Sequence, residues 1–311
     1  MSKLGRLVAV LIPIALMTGA GLWLTTLGRQ PSTRVQFRLP HHMPAPVAKP
    51  VGIAPGGHWL ADEATFARST HARPGMLEFY QRFGSALPAA KLAAVRKLGA
   101  VPVLQLNPRG IPVADIARGG WDRYLTSLGR EIHQFGGRMY LSFAHEMNGK
   151  WETWGNGRTP AHVYVQAWRR IWNKVTDQGA DPVWLWNINR EGTGVAAAGP
   201  WWPGNAYVDV VGIDAYYRNP HQTFRQLLQH TLATVRHLTT APVMLAETGA
   251  APGPAQAGHI LQLFNGVRRK VIIGFIWFNM NAKEQWRLNG DRQGLEAMRQ
   301  GITGLLHNQS G

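Results

Sequence analysis

The chain has 311 residues, with 33 Lys and Arg against 17 Asp and Glu and no cysteine. That length suits one large domain, and barrels of alternating strands and helices commonly reach it undivided. Without cysteine there is no disulfide framework, thiol nucleophile or cysteine-held metal, although export is not excluded. The net charge of +16 raises the question of nucleic acid, but the basic residues fall in short groups such as Arg169-Arg170 and Arg268-Arg269-Lys270. A nucleic-acid reader needs them gathered on one face or interleaved with aromatics, so no nucleic-acid partner is expected. The charge reads as a solvated basic surface, and any polyanion it served would be an anionic envelope polymer or lipid.

In chain order, Lys3 and Arg6 precede an uncharged stretch from Leu7 to Gly28, closed by Arg29. A spanning helix takes ~20 apolar residues and the core of a cleaved signal ~7–15, so residues 1–28 read as a signal anchor or signal peptide, with an N-terminal membrane anchor favoured. The positive charges on the short side leave the rest outside the cytoplasm, membrane-anchored or secreted. Residues 29–50 are rich in proline and basic residues and read as a semi-extended linker, in which His41 and His42 lack further metal ligands.

Apolar, β-rich runs then recur at 51–54, 76–83, 101–107, 139–148, 183–189, 208–217, 242–249 and 271–279. Helical spacing separates most of them, as over Trp121–Phe135, Pro160–Gln178, Thr223–Leu238 and Gln256–Arg269. Near-continuous apolar strands alternating with helices imply a parallel sheet, and eight such units predict a (β/α)8 TIM barrel over residues 51–311. The fifth unit is irregular, since Arg190 to Tyr207 is rich in Gly, Ala and Pro. No Gly-rich phosphate fingerprint follows the first strand, which argues against a doubly wound sheet.

In such a barrel the chemistry sits at the C-terminal ends of the strands. Those ends carry Gln105 and Asn107, then His145, Glu146 and Asn148, Asn187 and Asn189, Asp214 and Tyr216, Glu247, and Trp277 and Asn279. Glu146 and Glu247 come from different sides of the ring. Two opposed carboxyl groups are what glycosidic cleavage needs, one to protonate the departing oxygen and one on the other face of the sugar. Thirteen tryptophans exceed what packing requires, and indoles stack on the apolar faces of sugars. Trp277 is expected to floor the site, Trp151 and Trp154 to wall it, and Tyr216 to donate to a carboxylate. Glu152 and Glu191, on loops near the same face, are the rival carboxylates. His145 neighbours Glu146, so a regular strand would turn it away from the pocket. HEMNG lacks the second histidine of a zinc HExxH site, and no metal or other cofactor is expected.

The run FAHEMNGKWETWG, with VWLWNIN, WWPGNAYVDVVGIDAYY, MLAETG and GFIWFN, resembles glycoside hydrolase family 26, the β-mannanase-like retaining enzymes of clan A. The resemblance covers roughly Val51 to Leu288. It implies a retaining endo-acting β-glycoside hydrolase on a β-linked polysaccharide of β-mannan or β-glucan type; a monomer is expected. It implies Glu146 as acid/base and Glu247 as nucleophile, with His145, Trp151, Asp214, Tyr216 and Trp277 shaping the subsite of the cleaved sugar. Asn148 and Trp154 join the expected substrate-binding set from their place at and after the end of the fourth strand. The family's mannan-cleaving members usually place a histidine after the third strand, where this chain has QLNPRG. The resemblance therefore carries the hydrolase class further than it carries mannose specificity.

Overall fold

The structure, a computed structural model, describes residues 50–307 apart from 283, 289 and 290. Of the anchor and linker expected over residues 1–50, residues 1–49 lie outside the described residues. Eight strands close into a parallel barrel in sequence order: β1 (Val51–Pro55), β2 (Met76–Arg82), β3 (Val101–Asn107), β4 (Tyr140–Phe143), β5 (Val183–Asn189), β6 (Val210–Tyr217), β7 (Val243–Ala250) and β8 (Phe275–Asn279). β8 pairs along the whole of β1, from Val51 with Phe275 to Pro55 with Asn279.

Helices α1 (Trp59–Thr70), α2 (Ala89–Lys97), α3 (Val113–Ala117), α4 (Asp122–Phe135), α5 (Ala161–Thr176), α6 (Phe224–Leu238) and α7 (Gln256–Arg268) occupy the crossovers, and α8 (Arg292–His307) follows β8. Between β5 and β6 the chain makes only two 3-10 turns, Gly199–Trp201 and Asn205–Tyr207, as its Gly, Ala and Pro content predicts. Thr223 caps α6 through a capping box with Gln226, which satisfies backbone donors at the helix start.

Alternation along the strands sorts the core into two parts. Ala54, Met76, Val103, Tyr140, Leu185, Val210, Met244 and Ile276 fill the barrel interior. Their neighbours Ile53, Leu77, Leu104, Leu141, Val211, Leu245, Phe275 and Trp277 face the helices instead. Two residues beyond Met76, Val103, Tyr140 and Leu185 come Glu78, Gln105, Ser142 and Asn187, all buried and polar. The apolar interior thus gives way to a polar layer towards the C-terminal ends, and that layer supports the site.

Two strands differ from their sequence runs. The run over 139–148 yields a strand of only 140–143, because Ala144 and Glu146 take φ of 50° and 53° and cannot continue a β-ladder. The run over 271–279 yields β8 from Phe275 only, since Val271 to Ile273 form a bend after Lys270 at φ 56°.

Candidate active site

The end of β4 explains how one short segment delivers several functional groups. With both Ala144 and Glu146 left-handed, a conformation that costs non-glycine residues about 1 kcal/mol or more, alternation is broken and His145 and Glu146 both reach the same cleft. The Glu146 amide is tied to Asn187 O at 3.0 Å, and its carbonyl accepts from Gly149 at 2.9 Å. Gly149 is needed at close range, because a Cβ there would enter the Trp151 ring. Trp151 consequently folds back and donates its indole N–H to Glu146 Oε2 at 2.5 Å, while the Asn189 side-chain amide donates to Oε1.

Glu247 reaches the cleft by a different device. Ala246 belongs to the barrel interior and Glu247 lines the cleft, which strict alternation would forbid for adjacent residues. The β7–β8 register shifts between Leu245 and Thr248, and that irregularity turns the carboxylate inward. Two phenols hold it: Tyr80 donates to Oε1 at 2.5 Å and Tyr216 to Oε2 at 2.6 Å.

One carboxylate oxygen from each of Glu146, Asp214 and Glu247 lies within 4.8 Å of the others. Such crowding in a desolvated cleft must raise proton affinity. Burial, then the Glu247 charge, pushes the Glu146 carboxyl up to about 8. Burial also raises Glu247, but its two phenol donors pull it back towards the ionised form. Burial and the neighbouring glutamates hold Asp214 and Glu78 well above the usual carboxylate range. Glu78 accepts from Gln105 at 2.7 Å and lies 3.5 Å from the Tyr80 hydroxyl, and Asp214 accepts from Asn187 at 3.0 Å. His145 is driven down to about 4 by burial and then by Arg109, so it is neutral, with Nδ1 2.9 Å from Asn107 Oδ1. The three oxygens are close enough for a cation, but every oxygen of Glu146 and Glu247 already accepts from a protein donor. The donor set therefore fits a pair of reacting carboxylates better than a metal site.

The cleft, of about 730 Å³, is lined by His145, Glu146, Trp151, Asp214, Tyr216 and Glu247 among the residues expected from sequence. Three others stand back from it. Asn148 is fully buried and clamps the β5 end, accepting from the Asn189 amide at 2.9 Å and donating to Asn189 O at 2.8 Å. Trp154 is buried and donates to His145 O at 2.8 Å, so it braces the segment rather than walling the cleft. Trp277 is 0% exposed among the helix-facing residues, one step out of phase with the inward Ile276 and Phe278, and donates to Trp286 O at 2.8 Å. The expected floor is thus displaced to Trp286, whose ring lies 4.7 Å from that of Tyr216. Gly249 makes this possible, since a Cβ there would stand 2.9 Å from the Trp286 ring.

Tyr80, Trp286, Glu78 and Arg218 had no place in the expected set. An isolated Glu within the apolar MLEFY was the available signal for Glu78 and, two residues on, for Tyr80. Of the rival carboxylates, Glu152 does line the cleft, 3.8 Å from Arg109. Glu191 is buried elsewhere, accepting from Ala198 N and Thr234 Oγ1 at 2.7 Å each, and fastens the irregular fifth unit. Trp201 is buried, and Trp202 packs edge-on to Trp186 at 4.9 Å, so neither reaches the cleft.

Fold and site together define a (β/α)8 barrel with a paired-carboxylate cleft at the C-terminal ends of its strands. The model of glycosyl hydrolase family 26 matches residues 139–255, which span β4 to the loop after β7. Endoglucanase H of Acetivibrio thermocellus is 28% identical over 226 residues, 67% of this chain and 25% of its own length. A mannan endo-1,4-beta-mannosidase of Bacillus subtilis strain 168 is 26% identical over 152 residues, 45% of this chain and 38% of its own. The chain thus spans well under half the length of these relatives. Among solved structures, a Bacillus subtilis mannanase superposes with a TM-score of 0.60 at 16% identity, over 81% of this chain and 85% of that one. A ruminal family 26 endo-beta-1,4-mannanase gives 0.60 at 15% identity, over 81% and 62%. The solved structures establish the fold. The resemblance to glycosyl hydrolase family 26 is shown by the family match and the relatives together.

Proposed function

We propose that the protein is a retaining endo-β-glycanase that hydrolyses a β-linked polysaccharide of β-mannan or β-glucan type. Glu146 serves as acid/base and Glu247 as nucleophile. The observation that carries this reading is the contrast between two carboxyl groups whose oxygens approach within 4.8 Å: one is pushed up to about 8, the other held by two phenol donors. A separation of that order suits direct attack, since the carboxyls of retaining enzymes lie ~5–5.5 Å apart and those of inverting enzymes further.

At neutral pH Glu146 holds its proton and Glu247 is the group its donors favour as the anion. Glu247 attacks the anomeric carbon as Glu146 protonates the leaving oxygen; the glycosidic bond breaks and a glycosyl ester forms on Glu247. Ester formation removes the charge that raised Glu146, so its proton affinity falls and it becomes the base. It takes a proton from water, water attacks the anomeric carbon, and Glu247 is released as carboxylate while Glu146 regains its proton. The half-exposed Trp151 and the largely buried Trp286 both line the cleft, where an indole can stack on a sugar.

The names of the relatives support β-mannan and β-glucan as substrate classes, and the family resemblance supports endo action. The uncharged stretch from Leu7 to Gly28 supports an extracytoplasmic location, by anchor or by secretion. Reducing-end release from mannan, mixed-linkage glucan, carboxymethyl cellulose and xylan, with Glu146→Ala and Glu247→Ala alongside, tests the reading. Activity on one polymer that is lost in both variants is expected. A folded protein that binds a polymer and cleaves none would make it a polysaccharide-binding barrel instead.

A further inference from the structure

Beside the carboxylates the cleft continues into a second cavity of about 450 Å³ between the ends of β5 and β6 and the start of α6. Arg190, Tyr216 and Arg218 line both spaces, so the two are contiguous. The extension is completed by Asn219, His221, Gln222 and Gln226, and among the described residues no acidic one lines it.

The polar groups there are turned towards donation. Asn219 Oδ1 accepts the His221 amide at 2.9 Å, and Gln226 Oε1 accepts the Thr223 amide at 2.8 Å and its hydroxyl at 3.0 Å. Gln226 Oε1 thus has both acceptor positions filled and Asn219 Oδ1 one of its two, while the NH2 end of each side chain remains available as a donor to a ligand. Arg218 gives its Nε to Glu284 at 2.8 Å, and its guanidinium stands 5.4 Å from the rings of both Tyr216 and Trp286. That packing fixes the arginine at the junction of the two spaces. Arg190 is half-buried, and among the described residues no carboxylate lies within ion-pair distance of it, whereas Arg109 and Arg218 have Glu152 and Glu284. A guanidinium partly withdrawn from water and without a counter-charge offers its donors to an anion, and a carboxylate can take them as a bidentate pair.

We infer that this extension is a subsite for an acidic sugar, so that the polysaccharide taken by the cleft carries carboxylate groups. The inference deepens the glycanase reading and rests on it for the words sugar and cleft. It also gives part of the net charge of +16 a purpose, because a basic protein field concentrates an acidic polymer at its surface.

The test measures binding separately from turnover. Full-length protein carrying Glu146→Gln is titrated calorimetrically with neutral β-mannan and β-glucan oligosaccharides and with the same oligosaccharides oxidised to carboxylates at C6. At least one carboxylated member is expected to bind roughly tenfold or more tightly than its neutral counterpart, the scale of a hydrogen bond to a charged group. Adding Arg190→Gln should cut that preference to about twofold or less, and polyglutamate should not compete. Equal binding within every pair overturns the subsite. So does a preference that Arg190→Gln leaves intact while polyglutamate competes, since that marks net charge alone. If the carboxylate preference holds but the wild-type protein cleaves nothing, the glycanase reading fails and the subsite stands.

Discussion

The two phenols on Glu247 invite a direct perturbation, Tyr80→Phe. The change removes one oxygen and leaves the ring, so it opens no cavity in the core. What is lost is the 2.5 Å bond to Oε1, while Tyr216 keeps Oε2 at 2.6 Å. A hydrogen bond to a charged group contributes about 1.5–3 kcal/mol, and with one face of Tyr80 open to solvent the lower end applies. At about 1.4 kcal/mol per pKa unit, losing the donor should raise the Glu247 pKa by roughly one unit. The sign follows from which form the donor favours: it stabilises the anion, so its loss favours the protonated acid, which cannot attack. The acidic limb of the kcat/KM profile should therefore move up by roughly one unit, with a tenfold loss on that limb, while the basic limb set by Glu146 stays. The assay is the pH profile of reducing-end release for the wild type, Tyr80→Phe and Tyr216→Phe. An acidic limb that stays in place in both variants would refute the assignment of the phenols to the nucleophile.

Other expectations follow from the same geometry. Removing the Glu247 charge with Glu247→Gln should lower the Glu146 pKa from about 8, read by carbon NMR titration, because that charge is the second cause of its elevation. Burial and the neighbouring glutamates raise the Glu78 pKa in the folded state above its unfolded value, so its penalty on folding is absent at low pH and grows as pH rises above the usual carboxylate range. Glu78→Gln should accordingly raise Tm more at pH 8 than at pH 5. Gly249→Ala would press a Cβ to 2.9 Å from the Trp286 ring, and should cost about 1–3 kcal/mol in unfolding experiments and raise KM. Glu191→Ala should lower Tm by leaving the Ala198 amide and Thr234 hydroxyl unpaired, without moving either limb of the pH profile.

The strands were legible because a parallel sheet buried on both faces writes nearly unbroken apolar runs, and those starting at Val51, Met76, Val101 and Val183 fall within a residue of the observed elements. Composition also marked the irregular fifth unit. What the runs do not encode is where the backbone leaves the β region. Ala144 and Glu146 look like ordinary strand residues, yet their positive φ ends β4 and redirects His145 into the cleft. Trp277 stays out of the cleft for a related reason: a place at a strand end does not fix the phase of a side chain, and Ile276 and Phe278 hold the inward positions. Trp286 comes from the segment after β8, where no periodicity signals which ring turns back. The tryptophan surplus itself serves mainly to pack helices on the barrel, as Trp168 and Trp184 do, leaving Trp151 and Trp286 to line the cleft.

Retaining cleavage passes through a covalent bond to one carboxylate. Brief incubation of the wild-type protein with an activated 2-deoxy-2-fluoro mannoside or glucoside, followed by intact mass and peptide mapping, reads that bond directly. The expected result is a single glycosyl adduct on the peptide containing Glu247, absent in Glu247→Ala. An adduct on another carboxylate, or continued turnover of the reagent with inverted product and no adduct, would contradict it.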